Sequence, residues 1–233
     1  MTLREQPARG LECTPEPQRP SRRRPTPPRW EPGASFYRAL VFAVGLHADQ
    51  ARKNTSHDPY LAHILTVASL VVEDGGSEIE AIAALLHDAA EDRGGKARLD
   101  QIRSDFGDQV ASIVEGCSDS LAERKEEKGD WCARKKAYIE RLRTEEPAVR
   151  RVSLADKLHN ARCTVTDLEA GRTLGDVFNA GPDNQRWYYA ALLQCFEDAA
   201  TKSRHLPEFR RLVARITDTQ APAALDAGTP TRR

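Results

Sequence analysis

The sequence has no excess of charge of either sign, because its 35 lysine and arginine residues balance 35 aspartate and glutamate residues. Proteins that bind nucleic acid or membrane surfaces through a general basic field carry such an excess, so we expect neither kind of partner. The sequence also lacks an apolar run near the about twenty residues that a transmembrane helix needs. The arginines at its start precede no apolar core, which argues against a secretory signal.

Cysteine is scarce and scattered along the chain. The cysteines are odd in number and form no CxxC pair; they are Cys13, Cys117, Cys132, Cys163 and Cys195. This spacing argues against a disulfide scaffold and against a zinc site built from thiolates. It favours a reducing compartment, and we therefore predict a cytoplasmic protein.

Proline is concentrated near the start, where residues 1–34 hold eight of the fourteen prolines together with seven arginines. Such a stretch sustains no helix and buries little, so we predict a disordered tail over 1–34. An inert tail is favoured over a basic interaction segment, since a few arginines attract only weakly at physiological salt. The end, 218–233, is predicted to be flexible, which leaves one domain over 35–217.

The segment between these tails has the spacing of short helices. Pro59 and Pro147 suit helix starts, Ser35 is a candidate cap, and Ser77 with Glu80 has the pattern of a capping box. No alternating pattern of useful length predicts a strand. We predict an all-α bundle with helices over 34–52, 59–73, 77–91, 99–106, 108–117, 130–143, 147–169, 182–202 and 207–216.

One imidazole and three carboxylates fall within six residues, at the end of the apolar run 79–86. They are His87, Asp88, Glu91 and Asp92. On a helix, a spacing of four places Glu91 on the face of His87 and Asp92 on the face of Asp88. Burying so much unpaired charge is costly, so a metal ion or a cationic substrate is the natural compensation. The alternative is a solvated acidic helix end.

Two further apolar helical segments each carry one polar residue that can join this cluster. His63 lies in the first turns of the segment 59–68, and Asp156 lies within 152–162. A lone histidine is more often a core or surface residue than a ligand, whereas a lone aspartate on an apolar face needs a partner. Together, two imidazoles and two carboxylates suit Mn²⁺, Fe²⁺, Co²⁺ or Zn²⁺ and leave coordination positions open for catalysis.

The order His63, then His87-Asp88, then Asp156 resembles the H…HD…D signature of the HD phosphohydrolase superfamily. The segments 52–63, 87–92 and 154–162 are similar, more specifically, to the (p)ppGpp hydrolases. These comprise the hydrolase domains of RelA/SpoT-type proteins and small, free-standing alarmone hydrolases such as the animal type. The resemblance covers roughly residues 36–206.

This resemblance implies a single HD-domain helical bundle that removes the 3′-pyrophosphate of (p)ppGpp, the alarmone of the stringent response. It implies Mn²⁺ held by His63, His87, Asp88 and Asp156. Glu91 and Asp92 are then expected to handle protons, one at the attacking water and one at the leaving group. The residues implied to bind the guanine nucleotide are Arg52, Lys53, Asn54, Arg134, Lys135, Asn160 and Arg162.

Several alternatives stay open at this point. Arg52 and Lys53 can simply complement a helix dipole, and Arg134–Lys136 can be a solvated basic stripe. Cys163 stands where the long RelA/SpoT enzymes commonly have threonine, which weakens one expected contact to the base. Other substrates are ppApp and the 2′-phosphate of NADPH. A non-catalytic nucleotide-sensing HD module is less favoured, since it has no need of Glu91 and Asp92 beside four ligands.

Overall fold

The computed structural model describes residues 30–52, 58–123 and 127–218. Within these residues the structure contains helices and no strand, which confirms the predicted all-α class. The tail predictions over 1–29 and 219–233 lie outside the described residues. The helices are α1 (Ala34–Leu46), α2 (Tyr60–Glu73), α3 (Glu78–Leu86), α4 (Ala89–Asp92), α5 (Gly95–Phe106), α6 (Asp108–Cys117), α7 (Trp131–Thr144), α8 (Pro147–Glu169), α9 (Leu174–Val177), α10 (Pro182–Asp198) and α11 (Leu206–Asp218).

The predicted helix over 77–91 is in fact two helices, α3 and α4, which meet at His87 and Asp88. The capping box is present at its start, where Glu80 N–H donates to Ser77 Oγ and Ser77 N–H donates to Glu80 Oε2. At its end, Nδ1 of His87 donates to the carbonyl of Ala84 at 2.8 Å. A helix end leaves carbonyls without helical partners, and this imidazole satisfies one of them.

Other predicted boundaries also differ from the structure: the helix predicted over 99–106 begins at Gly95, and the helix predicted over 182–202 ends at Asp198. The first helix ends at Leu46 instead of Arg52, because backbone hydrogen bonds join the following loop to residues 58–60. Gly33 is the N-cap of α1, so the prediction that Ser35 caps it is wrong. The short helix α9 was not predicted, although a capping box of Thr173 and Asp176 marks its start.

Helices α2, α3 and α8 pack against one another and form the centre of the domain. Their facing residues are apolar and almost fully buried, including Ile64, Val67, Leu85, Leu86 and Leu158. The close packing of these side chains fixes the positions of the three helices relative to one another. Among the described residues, no helix combines the length and the apolarity needed to cross a membrane.

An ion-pair cluster joins the same three helices at the end opposite to the α3–α4 break. Arg151 of α8 bonds to Glu80 at the start of α3 and to Asp74 after α2, the latter at 3.3 Å. Both carboxylate side chains are buried, at 9% and 4% exposure. Since a carboxylate out of water needs a partner, this cation holds the N-terminal end of α3 in place.

Arg151→Leu is therefore expected to lower the free energy of unfolding by about 2–4 kcal/mol, because it leaves two buried carboxylates unpaired. Urea unfolding measures this change. The matched control is Arg210→Leu, which removes an exposed pair with Glu197 and should cost at most about 1 kcal/mol. Equal losses in the two variants would contradict the structural role of Arg151.

Candidate active site

The four predicted ligands come together where the central helices meet. His63 lies on α2, His87 ends α3, Asp88 follows it and Asp156 lies on α8. His63 Nε2 is 3.6 Å from Asp88 Oδ2 and 3.3 Å from Asp156 Oδ1. His87 Nε2 is 3.0 Å from Asp88 Oδ2 and 3.8 Å from Asp156 Oδ1. The side chains thus converge on one point, although their role as ligands stays a prediction.

The chemistry of this cluster fits a divalent metal ion. The ligand atoms of His63, His87 and Asp88 lie within 4.8 Å of one another. Nε2 of His87 is buried and has no hydrogen-bond partner in the part of the chain that the structure describes. Because Nδ1 donates to Ala84, Nε2 is the nitrogen that faces the two aspartates, and it offers them a proton or, once that proton is released, offers a metal ion its lone pair. Buried lone pairs of this kind are the donors that a metal ion satisfies.

Each candidate ligand is oriented by a second group. Tyr60 donates to Asp88 Oδ2. Asp156 accepts from Lys157 Nζ through Oδ2 and from Asn160 Nδ2 through Oδ1, both at 2.5 Å. Burial opposes ionisation of Asp156, but the ammonium of Lys157 outweighs it and lowers the pKa of that carboxyl. Such hydrogen bonds fix the direction of ligand atoms and support metal affinity.

His63 contacts a further histidine. Its Nδ1 lies 2.7 Å from Nδ1 of His159, one turn before Cys163 on α8. Burial and the neighbouring His63 lower the pKa of His159 to about 4. His159 is therefore neutral at physiological pH.

The metal-free protein is expected to release protons when it binds a divalent ion. Burial opposes charging of His87, but Asp88 and Asp156 outweigh it and raise the pKa of its imidazole to about 9. Below that pH the imidazole holds a proton that the metal must displace, so apparent affinity weakens about tenfold per pH unit as the pH falls. Calorimetry at pH 7.5 in two buffers of different ionisation enthalpy measures the released protons. An enthalpy independent of the buffer would contradict this prediction.

Glu91 lies beside the cluster within a network of opposite charges. It accepts from the backbone N–H of Asp119 at 3.2 Å and pairs with Lys128 at 3.3 Å. Burial and, second, the carboxylate of Asp119 raise the pKa of Glu91. Burial would also raise the pKa of Asp119, but Lys135 and Arg134 hold it at about 2. Glu91 is thus the carboxyl suited to carry a proton, beside one that stays ionised.

Residues of the loop after α1 hold Asp92 in position. Gln50 Nε2 donates to Asp92 Oδ2 at 2.8 Å, and Gln50 Oε1 accepts from His47 Nδ1 and Arg93 Nε. The ring of His47 stacks on that of Tyr60 at 5.1 Å between centroids. The same group of residues therefore orients Asp92 and packs against the tyrosine that bonds to Asp88.

A cavity of about 310 Å³ opens over this cluster. Its walls include Asp88, Asp156, Glu91 and Asp92, so two of the predicted ligands and both predicted proton carriers line one chamber. Other polar or charged residues of the walls are Arg52, Lys135, Lys157, Asn160, Asp167 and Gln185, and the aromatic ones are Tyr60, Trp131, Phe178, Tyr188 and Tyr189. A chamber with cations and aromatic rings suits an anionic ligand with a flat group.

The structure places some of the predicted nucleotide-binding residues in the cavity wall and others outside it. Arg52 bonds to Asn160 Oδ1 at 2.8 Å, and both line the cavity, as does Lys135. Arg134 pairs with Asp119 behind Lys135 and is not part of the wall. Arg162 forms two hydrogen bonds to Glu208 of α11 and also lies outside the wall. Lys53 and Asn54 lie outside the described residues.

Several cavity and network residues were not predicted from the sequence. Trp131, Lys157 and Asp119 lie near the cluster only because α7, α8 and the loop after α6 meet there. Lys157 could have been found, because it stands next to Asp156 within the apolar stretch 152–158 of α8. Asp119 carries no such signal, since it stands in a short loop of small polar residues.

The structure therefore defines a class of protein: an all-α domain in which two histidines and two aspartates from its central helices converge beside a polar cavity. A family model described as HD domain matches residues 39–179. That match covers more than half of the chain, so the chain belongs to the HD domain family.

Similar proteins are known from animals and bacteria. The guanosine-3′,5′-bis(diphosphate) 3′-pyrophosphohydrolase MESH1 of Mus musculus is 35% identical over 139 residues, which are 57% of this chain and 73% of that protein. A probable guanosine-3′,5′-bis(diphosphate) 3′-pyrophosphohydrolase of Synechocystis is 36% identical over 137 residues, which are 56% of this chain. The chain spans only 17% of the Synechocystis protein.

Two solved structures are similar to this one. The structure of a metazoan ortholog of SpoT matches with a TM-score of 0.62 at 24% identity, over 79% of this chain and 96% of that one. The protein lmo0812 of Listeria monocytogenes matches with a TM-score of 0.58 at 30% identity, over 68% of this chain and 98% of that one. The first likeness is evidence for the fold alone.

Proposed function

We propose that this chain is a metal-dependent pyrophosphohydrolase that removes the 3′-pyrophosphate of (p)ppGpp and yields GDP or GTP with pyrophosphate. The single observation that carries this proposal is the shared cavity. Asp88, Asp156, Glu91, Asp92 and several cations line one space, and His63 and His87 lie within 4 Å of the two aspartates. The relatives from Mus musculus and Synechocystis support the substrate, since both are named as guanosine-3′,5′-bis(diphosphate) 3′-pyrophosphohydrolases.

His63, His87, Asp88 and Asp156 would hold the ion, which we propose to be Mn²⁺. When bound, it supplies activation of water and polarisation of a phosphoryl oxygen. The protein residues orient the ligands. Lys157 and Asn160 bond to the two oxygens of Asp156, and Tyr60 bonds to Asp88. The imidazole–carboxylate set does not by itself distinguish Mn²⁺ from other divalent transition metals.

The two carboxyls beside the ligands would divide the proton transfers between them. Hydrolysis breaks the bond between phosphorus and the 3′-oxygen, water adds its oxygen to phosphorus, and the 3′-oxygen gains a proton. Glu91, whose pKa is raised, would give that proton. Asp92, held by Gln50, would accept a proton from the water and orient it.

The cations of the cavity would bind the charged parts of the substrate. Lys135 lies over the ring of Tyr188 and pairs with Asp119, and Lys157 lies over Tyr138. Lys157 also bonds to the candidate ligand Asp156, and both ammonium groups line the cavity that a pyrophosphate would enter. Arg52, Asn160 and, outside the described residues, Lys53 and Asn54 are proposed to contact the nucleoside. Arg134 and Arg162 would act indirectly, through Asp119 and Glu208. We propose a cytoplasmic location.

A product assay tests this proposal. The purified protein is incubated with Mn²⁺ and, in parallel, with ppGpp, ppApp and NADPH, and His87→Ala serves as the blank. Pyrophosphate from ppGpp that is absent in the blank is the expected result. Orthophosphate from NADPH alone would keep the site and replace the substrate. Nucleotide binding without any turnover would favour a sensing module instead.

A further inference from the structure

We infer that His159 is a positioning residue whose Nδ1 accepts the Nδ1 proton of His63 and so directs the unprotonated Nε2 of His63 to the metal. This inference rests on the metal site of the proposed function and not on its substrate. It assigns a role in the site to His159, the histidine of the segment 154–162, which is not part of the motif formed by His63, His87-Asp88 and Asp156.

The contact between the two imidazoles determines how their protons are placed. The two Nδ1 atoms are 2.7 Å apart, and the ring centroids are 5.0 Å apart. Two nitrogens at that distance must share one proton, because two lone pairs or two N–H groups would repel. His63 is 1% exposed, so water does not offer its Nδ1 an alternative partner.

The position of His63 Nε2 decides which imidazole donates. This atom faces Asp88 Oδ2 and Asp156 Oδ1, so it is the nitrogen that a metal bound between them would meet. A ligating nitrogen carries no proton, and the proton of His63 must then stand on Nδ1. His159 Nδ1 is consequently the acceptor, and the proton of His159 stands on Nε2.

The remaining proton of His159 also has a partner. Its Nε2 lies 3.8 Å from Sγ of Cys163, one helical turn further along α8. Sulfur is a weak acceptor, so this contact holds the ring without competing strongly for the proton. Cys163 lines the cavity. The chain Cys163–His159–His63 therefore connects the wall of the cavity to a metal ligand on a different helix.

In this arrangement the positions of two ligands, Asp156 and His63, depend on α8. Asp156 is a ligand itself, and His159, three residues later, lies on a neighbouring part of the same helix surface. A small rotation of α8 would therefore move Asp156 and the support of His63 together. His87 needs no help from α8, because its Nδ1 donates to Ala84 in its own helix.

Nitrogen-15 NMR of histidine side chains tests the proton positions in the unaltered protein. The sample is loaded with Zn²⁺, which is diamagnetic, so that imidazole signals can be observed. We expect His63 to carry its proton on Nδ1, and His159 to be neutral with its proton on Nε2. A proton on Nδ1 of His159 would overturn the inference.

Three variants test the consequence for metal affinity, measured by calorimetry of the metal-free protein with Mn²⁺. His159→Phe keeps a ring without an acceptor and should weaken binding about 10- to 100-fold. His159→Asn places an amide oxygen near the position of Nδ1 and should restore affinity to within a few-fold. The control is His205→Phe, which removes a buried imidazole that bonds to the carbonyl of Leu70 and not to His63.

The outcomes are distinct from those of the product assay, because neither readout includes a nucleotide. Unchanged affinity in His159→Phe would overturn the inference, and so would the same loss in His205→Phe. If His159→Phe does not fold, the NMR result and the His159→Asn variant still decide it. A wrong substrate would leave all of these results unaffected.

Discussion

Asp156→Asn is expected to lower kcat/KM for the proposed hydrolysis by at least about 10³-fold, because a metal centre contributes several kcal/mol to stabilising the transition state. The substitution removes the negative charge at Oδ1, which lies within 4 Å of both imidazole Nε2 atoms. It also leaves the ammonium of Lys157 without its carboxylate partner. An amide at this position therefore lacks the charge that the metal needs at Oδ1 and the charge that pairs with Lys157 at Oδ2.

Three measurements separate a lost site from a lost fold. Initial rates with ppGpp and Mn²⁺ give the activity, calorimetry gives the metal affinity, and thermal unfolding gives the stability. The matched control is Asp183→Asn on α10, where the side chain is 97% exposed and pairs with nearby Arg186. Activity above a tenth of the unaltered protein in Asp156→Asn would show that this carboxylate is not a metal ligand.

The sequence was sufficient for much of the fold because several of its helix starts are marked chemically. Ser77 and Glu80 form the predicted capping box, and Pro147 begins α8 as predicted. The break at His87 and Asp88 was missed, because an apolar run followed by Ala89 and Ala90 reads as one continuous helix. The break depends on a bond from an imidazole to the carbonyl of Ala84, and local propensity does not include that bond.

The candidate site was predictable to the extent that its residues stand in ordered motifs. The structure brings His63, His87, Asp88 and Asp156 together, and their role as ligands is still to be tested. The supporting residues were less accessible to prediction. Gln50 reaches Asp92 and Arg52 reaches Asn160 only because the loop after α1 folds over the cavity. Such contacts depend on tertiary packing and leave no periodic signal in the sequence.

Arg162 illustrates the limit of reading a motif residue by residue. It stands two residues after Asn160 in the segment 154–162, and this places it on another side of the helix. There it bonds to Glu208 at 2.7 and 2.9 Å. The motif thus includes both residues that face the cavity and a residue that joins α8 to α11, and only the structure separates the two.

Glu91→Gln is expected to lower kcat by about 10²–10⁴-fold while metal affinity stays within a few-fold, since a positioned proton donor contributes about that much to a rate. The amide keeps the shape of the side chain and can still accept from the backbone N–H of Asp119. It cannot give a proton to the 3′-oxygen. The contrast with Asp156→Asn is that the metal remains bound.

The pH profile of kcat distinguishes a proton donor from a residue that only holds the loop at Asp119. Burial and the neighbouring carboxylate raise the pKa of Glu91, so its acid form persists to a higher pH than an ordinary glutamate. The rate of the unaltered protein should therefore fall as the pH rises through that pKa, and this limb should be absent in Glu91→Gln. Glu140→Gln, an exposed glutamate of α7, is the control and should keep the limb. A Glu91→Gln variant that retains the limb would assign the proton to another group, with Asp92 the next candidate because it stands on the same side of the cavity.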